Sequence, residues 1–112
     1  MISDNLLLNA KKAADFLAAV GNEKRLAILA YLLEGDTSVN VLVKKLEISQ
    51  SALSQHLAKL RASGLVETRR DSQRIYYSCK SSAVRELFAT LEVAYGKEGA
   101  TKQKCPVLVA VP

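Results

Sequence analysis

The sequence predicts a mainly α-helical fold with one small β-hairpin, and two observations support this prediction. Over most of the chain, apolar residues recur every three or four positions, as they do along the buried face of an α-helix. Over residues 65–79 the period changes to two and β-forming residues dominate, which is typical of strands. At 112 residues the chain is expected to form a single domain over residues 1–99, followed by a C-terminal tail at 100–112.

Three helices are predicted before residue 47, and capping residues set their limits. The first carries apolar residues from Ala10 to Val20 and stops at Gly21. Asn22 is the N-cap of the second helix, which Gly35 closes, and Ser38 is the N-cap of the third. The predicted inward stripes of the second and third helices are Leu26, Leu29, Leu32 and Leu33, and Val39, Leu42, Val43 and Leu46.

A fourth helix is predicted at residues 49–63, after the three-residue turn Glu47-Ile48-Ser49. Ser49 is its N-cap, Ile48 and Leu53 are spaced to form a hydrophobic staple, and Gly64 ends it. Glu47 stands where many such turns have glycine, which favours a different type of turn. Two short helices joined by so tight a turn form a helix-turn-helix.

The segment after Gly64 predicts a hairpin and a last helix. Two β-rich runs, residues 65–70 and 74–79, flank the turn Asp71-Ser72-Gln73. Ser81 or Ser82 caps the last helix, and Gly96 and Gly99 end it. This order of elements is that of a winged helix-turn-helix with additional helices at both ends.

Positive charge concentrates in the middle of the chain. The net charge is +5, and residues 44–74 hold seven Lys and Arg against three Asp and Glu, whereas residues 1–43 hold four against five. A local excess of cations is expected where phosphates are neutralised, although a solvated lysine face gives the same composition.

The face of the fourth helix opposite its leucines carries four short or amide side chains: Gln50, Ser51, Ser54 and Gln55. The N-terminal residues of a recognition helix meet base edges in the major groove of DNA. Glutamine pairs well with adenine, and serine with several bases. Because a helix-turn-helix and a wing flank these residues, we interpret them as base-reading rather than as an ordinary polar helix surface.

The cationic residues around this face and around the wing tip are predicted to contact the DNA backbone, as follows: Lys44, Lys45, His56, Lys59, Arg61, Arg69, Arg70 and Arg74. His56 is the only histidine of the chain. Its position beside the buried stripe leaves two interpretations open, a packed side chain or a phosphate contact.

Three motifs carry a resemblance to a known family: NEKRLAIL at residues 22–29, ISQSALSQHL at 48–57, and GLV at 64–66 with IYY at 75–77. The sequence resembles the ArsR/SmtB winged-helix repressors from about residue 10 to 95, and within them the NolR/HlyU-like branch that lacks metal sites. The resemblance implies that the helix at 49–63 enters the major groove and that the first and last helices join a homodimer.

The apolar stripes of those two helices agree with a homodimer, since a single thin domain covers them poorly. The expected interface comprises Phe16, Leu17, Val20, Val84, Leu87, Phe88, Leu91 and Tyr95. A two-fold dimer predicts an inverted-repeat operator with half-sites about one helical turn apart.

The resemblance also locates the positions where relatives sense metals or persulfides. Residues 38–43 hold no thiolate, and the zinc positions are Ser81, Ala83, Ala94 and Lys97, while Ala30 and Gly96 occupy the persulfide positions. No metal, cofactor or small-molecule effector is therefore expected. Cys79 and Cys105 are either a possible redox pair or incidental thiols. Both alternatives stay open, because the sequence does not give the distance between the two residues, and a disulfide forms only between close ones.

The sequence holds no nucleophile elbow, no phosphate-cradling glycine loop and a single histidine, so an enzyme is not expected. Its first residues, with an acid at Asp4, do not have the pattern of a secretion signal, and no apolar run reaches membrane-spanning length, so we expect a cytoplasmic, nucleoid-associated protein. Two alternatives to a plain operator-binding regulator stay open. One is thiol-redox control of DNA binding, and the other is a winged-helix module that binds another regulator.

Overall fold

The computed structural model describes residues 2–96. Within that range the elements are α1 (Asp4–Leu8), α2 (Ala10–Val20), α3 (Glu23–Glu34), β1 (Thr37–Ser38), α4 (Val39–Leu46), α5 (Gln50–Ala62), β2 (Glu67–Asp71), β3 (Arg74–Ser78) and α6 (Ser82–Tyr95). The expected domain end at residue 99 and the expected tail at 100–112 lie outside the described residues. The chain divides into two compact units between Lys80 and Ser81, so that α6 belongs to the second unit.

Side-chain caps fix the starts of α3, α4, α5 and α6, as the sequence predicts. The Asn22 Oδ1 accepts hydrogen bonds from the backbone N–H of Lys24 at 2.9 Å and of Arg25 at 3.1 Å. The Oγ of Ser38 caps α4, and Ser81, rather than Ser82, caps α6. Each cap satisfies a backbone donor that has no partner inside its own helix.

The core of the first unit is formed by the leucine stripes of three helices. Its fully buried side chains are Ile28, Leu29 and Leu32 of α3, Leu42 of α4, and Leu53 and Leu60 of α5. Because α3 packs against both α4 and α5, these stripes share one apolar interior. That interior fixes which face of α5 remains outside.

The wing is a three-stranded antiparallel sheet, so the prediction of a lone hairpin was incomplete. The strand order is β1-β3-β2, and β1 pairs with β3 through Thr37 opposite Tyr77 and Ser38 opposite Tyr76. The predicted three-residue turn is wrong by one residue, because Asp71 pairs with Arg74 and leaves a two-residue turn.

Two further differences concern the ends of elements. Leu65 and Val66 were predicted as strand residues, but they lie before β2 and are buried. The sequence did not predict α1, which Ser3 caps through a 3.1 Å hydrogen bond from the Leu6 N–H. Among residues 2–96, no helix is long and apolar enough to cross a membrane.

Candidate nucleic-acid interface

The turn between α4 and α5 sets the direction in which α5 leaves the core. Glu47 adopts the left-handed conformation, with φ 53° and ψ 45°, and its N–H donates to the Val43 carbonyl at 3.0 Å. Ser49 then begins α5, since its Oγ accepts the Ala52 N–H at 3.0 Å. The left-handed backbone at Glu47 is the conformation that glycine favours, so the expectation of a different type of turn at this position is wrong.

The four predicted base-reading residues all lie on the exposed face of α5: Gln50, Ser51, Ser54 and Gln55. Leu53, Leu57 and Leu60 occupy the buried face. The first turns of α5 therefore present hydroxyl and amide groups, which both donate and accept hydrogen bonds, to the outside of the molecule.

A groove joins the start of α5 to the tip of the wing. Two predicted base-reading residues, Gln50 and Ser54, line it together with the predicted wing contact Arg74. Asn40 of α4 and Gln73 of the wing turn line the same groove, and neither was singled out from the sequence. Ser51 and Gln55 are exposed on α5 but do not line it. Polar groups of three separate elements thus converge on one concave surface.

The three wing arginines are exposed but differ in their contacts. Arg69 is held by contacts with other residues of the chain. Its Nε donates to Asp36 Oδ2 at 3.3 Å, and its guanidinium lies 4.9 Å from the centre of the Tyr76 ring. A longer ion pair, 3.8 Å, joins Arg69 to Asp71. Within residues 2–96 neither Arg70 nor Arg74 forms an ion pair. Arg70 and Arg74 are therefore the better placed of the three to meet an external anion.

The helical cations predicted to contact the DNA backbone are all exposed: Lys44 and Lys45 of α4, and Lys59 and Arg61 of α5. The Lys45 ammonium lies 5.2 Å from the centre of the Tyr31 ring, a cation–π distance. Arg61 lines a second cleft with Ser54 and Tyr77, on the side where α5 approaches the sheet.

His56 is partly buried and contacts a residue that the sequence did not point to. Its Nδ1 lies 3.3 Å from Nη1 of Arg25, while Arg25 Nε donates to the Ala19 carbonyl at 2.6 Å. Partial burial lowers the pKa of His56 below its ordinary value of 6.5, and the charges of Arg25, Lys59 and Lys24 lower it further. The packed interpretation of His56 thus has a named partner in the structure.

Cys79 is buried, with 3% of its surface exposed. Cys105, the other member of the possible redox pair, lies outside the described residues. Among residues 2–96, no group of three or more His, Cys, Asp and Glu side chains is arranged to hold a metal ion.

The residues missed from the sequence have a common property. Asn40, Gln73 and Arg25 lie on elements other than α5, and only folding brings Asn40 and Gln73 beside its exposed face and Arg25 beside His56. A weak signal was present for Gln73, because a polar hairpin tip next to a recognition helix is a usual place for a DNA contact. Arg25 lies within the 22–29 motif that carried the family resemblance.

A capped polar helix that follows a tight turn, beside a cationic three-stranded wing, defines the class of winged-helix DNA-binding proteins. The family model for "Bacterial regulatory protein, arsR family" matches residues 22–68. Nodulation protein NolR of Rhizobium meliloti is 47% identical over 100 residues, covering 89% of this chain and 82% of that protein. Transcriptional activator HlyU of Vibrio cholerae is 47% identical over 87 residues, covering 78% of this chain and 81% of that protein.

Solved structures agree with the sequence matches. NolR from Sinorhizobium fredii superposes with a TM-score of 0.77 at 48% identity, covering 86% of this chain and 96% of that one. The transcriptional repressor BigR from Xylella fastidiosa gives a TM-score of 0.77 at 33% identity, covering 83% and 95%. The chain belongs to the arsR family of bacterial regulatory proteins. It is a DNA-binding transcription regulator of the winged-helix class and not an enzyme.

Proposed function

We propose that this regulator binds a specific operator in double-stranded DNA as a homodimer and represses transcription there, without a metal or small-molecule effector. In this proposal residues 1–99 form the DNA-binding domain, which acts in the cytoplasm on the nucleoid. The observation that carries the proposal is the groove in which the first turns of α5 meet the wing tip. A short polar helix face beside a cationic hairpin suits a major groove and the phosphates that flank it.

Base reading is assigned to the exposed face of α5: Gln50, Ser51, Ser54 and Gln55. Small hydroxyl and amide side chains approach the floor of the major groove closely and match the donors and acceptors of base edges. Asn40 and Gln73 are added to this set as candidates, because they share the groove with Gln50 and Ser54.

Contact with the phosphates of the DNA backbone is assigned to six cationic residues: Lys44, Lys45, Lys59, Arg61, Arg70 and Arg74. Arg69 and His56 leave the expected set of eight. Arg69 contacts Asp36 and Tyr76 and so holds the wing, and His56 is partly buried against Arg25. Six phosphate contacts in one subunit correspond to a slope of about −5 for log affinity against log salt.

Dimerisation is assigned to apolar surface on α2 and on α6. Leu17 is 55% exposed and Tyr95 is 54% exposed, while Phe16, Leu87, Phe88 and Leu91 are half-buried. Val20 and Val84 have at most 3% of their surface exposed in the single chain, so they offer little to a partner. A second copy that covers the exposed members of both stripes would remove large apolar side chains from water.

Control by thiol oxidation is less well supported than control by operator occupancy. A thiol that senses redox state reacts as an accessible thiolate, and Cys79 is 3% exposed. The protein-interaction module is also less well supported, since a docking wing would more often carry several apolar anchors. The tip here is built from Ser72, Gln73 and Arg74, and beside it Ile75 is 42% exposed.

The test is selection of genomic DNA. Purified protein is mixed with genomic fragments and excess random competitor at physiological salt, and the retained fragments are sequenced. Enrichment of an inverted repeat upstream of a transcribed region supports the proposal. A reporter driven from that region then shows lower expression when the regulator is present if it represses, and higher expression if it activates.

Two controls separate the alternatives. If no fragment is enriched above competitor, the operator proposal fails and the protein-interaction module takes its place. If a fragment is enriched, the same binding after mild oxidant, with and without a Cys79→Ser substitution, tests redox control. Affinity that falls with oxidant only when Cys79 is present would favour the redox alternative.

A further inference from the structure

We propose that Arg25 is a positioning residue for DNA recognition, which fixes α5 against the C-terminal end of α2 through His56. The inference rests on the proposed role of α5 as the base-reading helix. Arg25 itself does not line the groove at the wing tip, and it reaches α5 at His56.

Two arms of the Arg25 guanidinium bind the end of α2. Its Nε donates to the Ala19 carbonyl at 2.6 Å, and its Nη2 donates to the Ala18 carbonyl at 3.4 Å. Both carbonyls belong to the last turn of α2, where backbone acceptors have no partner inside the helix. The positive charge also lies at the negative end of the α2 dipole, which makes this a favourable place for a guanidinium.

The third arm reaches α5. Nη1 of Arg25 lies 3.3 Å from Nδ1 of His56. Because a guanidinium only donates, Nδ1 must accept, and this requires a neutral imidazole with its proton on Nε2. His56 directly follows Gln55 in α5, so the hydrogen bond fixes the rotation of α5 next to two proposed base-reading residues, Ser54 and Gln55.

An open cavity lies beside the contact between Arg25 and His56. It increases the part that the guanidinium plays in holding α2 and α5 together. The cavity has a volume of about 710 Å³, and Arg25 lines it together with Phe16 of α2, Lys59 and Ala62 of α5, and Ser63, the C-cap of α5. The surface between α2 and the second half of α5 is therefore concave, and side chains fill it only in part. The hydrogen-bonded bridge through Arg25 adds to the packing contacts that join α2 and α5 there.

The charges around the joint keep His56 in the accepting form. Lys24 and Arg25 of α3 and Lys59 of α5 act on His56. From α2, Lys12 and Asp15 line the neighbouring cavity, and Asp15 is paired with Lys11 at 3.2 Å. The partial burial and the positive neighbours lower the pKa of His56, so the neutral imidazole persists at neutral pH.

The experiment compares substitutions in the full-length protein. Affinities for the selected operator and for a random duplex of equal length are measured at one salt concentration, and their ratio is the readout. Arg25→Lys keeps the charge but cannot bridge three acceptors with a planar fork, so the ratio should fall about tenfold, the loss of one good base contact. Lys24→Gln is the matched control, since it removes a neighbouring charge without touching the bridge, and its ratio should stay within about twofold of wild type.

Substitutions at His56 provide the rescue test. His56→Asn places an amide oxygen near the position of Nδ1 and should retain most of the discrimination, whereas His56→Leu should lose as much as Arg25→Lys. In the wild type the ratio should also fall as the pH drops through the pKa of His56, and His56→Asn should remove that dependence. The ratio is used because a new positive charge strengthens binding to every DNA alike.

The outcomes separate this inference from the proposed function. If the wild type prefers an operator and Arg25→Lys keeps that preference, the positioning role is overturned and base reading by α5 stands. If the wild type prefers no operator, both fail. Should Arg25→Lys fold poorly, the His56→Asn and His56→Leu pair decides, because equal discrimination by those two variants also overturns the inference.

Discussion

At the scale of single residues, two turns beside the candidate interface are built on left-handed residues that are not glycine. Among the described residues these are Glu47, with φ 53°, and Ser72, with φ 59°. An L-residue in this conformation costs roughly 1–2 kcal/mol relative to the right-handed one. The strain is local and independent of any bound DNA, so it can be measured on the free protein.

Glu47→Gly should raise the free energy of unfolding by about 0.5–1 kcal/mol. Glycine removes the left-handed strain, and part of that gain is offset by the greater freedom of glycine in the unfolded chain. Urea denaturation measures the change as a shift of the midpoint at constant m-value. Ala58→Gly, at an exposed position inside α5, should instead lower stability by about 1 kcal/mol. Destabilisation by both substitutions would contradict the strain at Glu47.

His56 should make stability depend on pH in a defined direction. Its pKa is lowered in the folded state, so the unfolded chain, with a pKa of about 6.5, binds a proton more readily. The stability that the neutral imidazole contributes is fully present above about pH 6.5 and is lost as the pH falls through the folded pKa.

Thermal unfolding of the wild type and of His56→Asn at about pH 7.5 and about pH 5 isolates this contribution. Because His56 is the only histidine in the chain, the difference in Tm between the two pH values should be smaller in the variant. Carboxylates titrate equally in both proteins. An identical pH difference in the two proteins would show that His56 has the same pKa folded and unfolded.

At the scale of elements, the sequence predicted the helices that show a regular apolar spacing and begin at a capping residue. The fourth predicted helix, 49–63, differs from α5 (Gln50–Ala62) only by the residues at its ends. By contrast, α1 has five residues and three consecutive leucines, which show no helical period. β1 has two residues, too few for any alternation, and it exists because it pairs with distant β3.

The candidate site was predictable in part for the same reason. Spacing along one helix showed which α5 residues are opposite the buried leucines, and all four are exposed. Spacing could not show that Arg69 is held by Asp36, or that Arg25 reaches His56, since those contacts join segments 33 and 31 residues apart. Contacts of this kind depend on how the elements pack.

The helix and the wing should contribute differently to DNA binding. Gln55→Ala or Ser54→Ala should weaken operator binding by roughly 1–3 kcal/mol while leaving random DNA almost unchanged, because only base contacts discriminate. Arg70→Ala should weaken both equally and reduce the salt slope by about 1 per subunit. Fluorescence anisotropy at several salt concentrations measures both quantities. Equal effects of the helix and wing substitutions on discrimination would contradict this division of roles.

At the scale of the whole molecule, the chain presents two kinds of surface. One is polar and cationic, around α5 and the wing, and the other is exposed apolar surface, which α2 of the first unit and α6 of the second each carry, with Leu17 and Tyr95 among the exposed residues. If a second copy covers the apolar surface, a two-fold axis relates two recognition helices. The spacing of operator half-sites is then fixed by the dimer and not by either helix alone.

Leu17→Glu should therefore separate dimerisation from folding. A carboxylate at a residue that is 55% exposed is tolerated in the single chain but is unfavourable once a partner buries it. Sedimentation should show a monomer, with helical content unchanged, and affinity for the inverted repeat should fall to that for one half-site. Val93→Glu is the matched control, because Val93 is 71% exposed on the side of α6 opposite the Val84, Phe88 and Tyr95 stripe.

The operator supplies an independent check of the same dimer. Inserting about 5 bp between the half-sites turns one of them to the opposite side of the duplex. Inserting about 10 bp returns both half-sites to the same side but increases the distance between them. Wild-type affinity should fall sharply with the shorter insertion, while Leu17→Glu, already limited to one half-site, should be indifferent to both. A wild type that tolerates the shorter insertion would mean that the two half-sites are bound independently, and the interface assigned to α2 and α6 would then have no part in recognition.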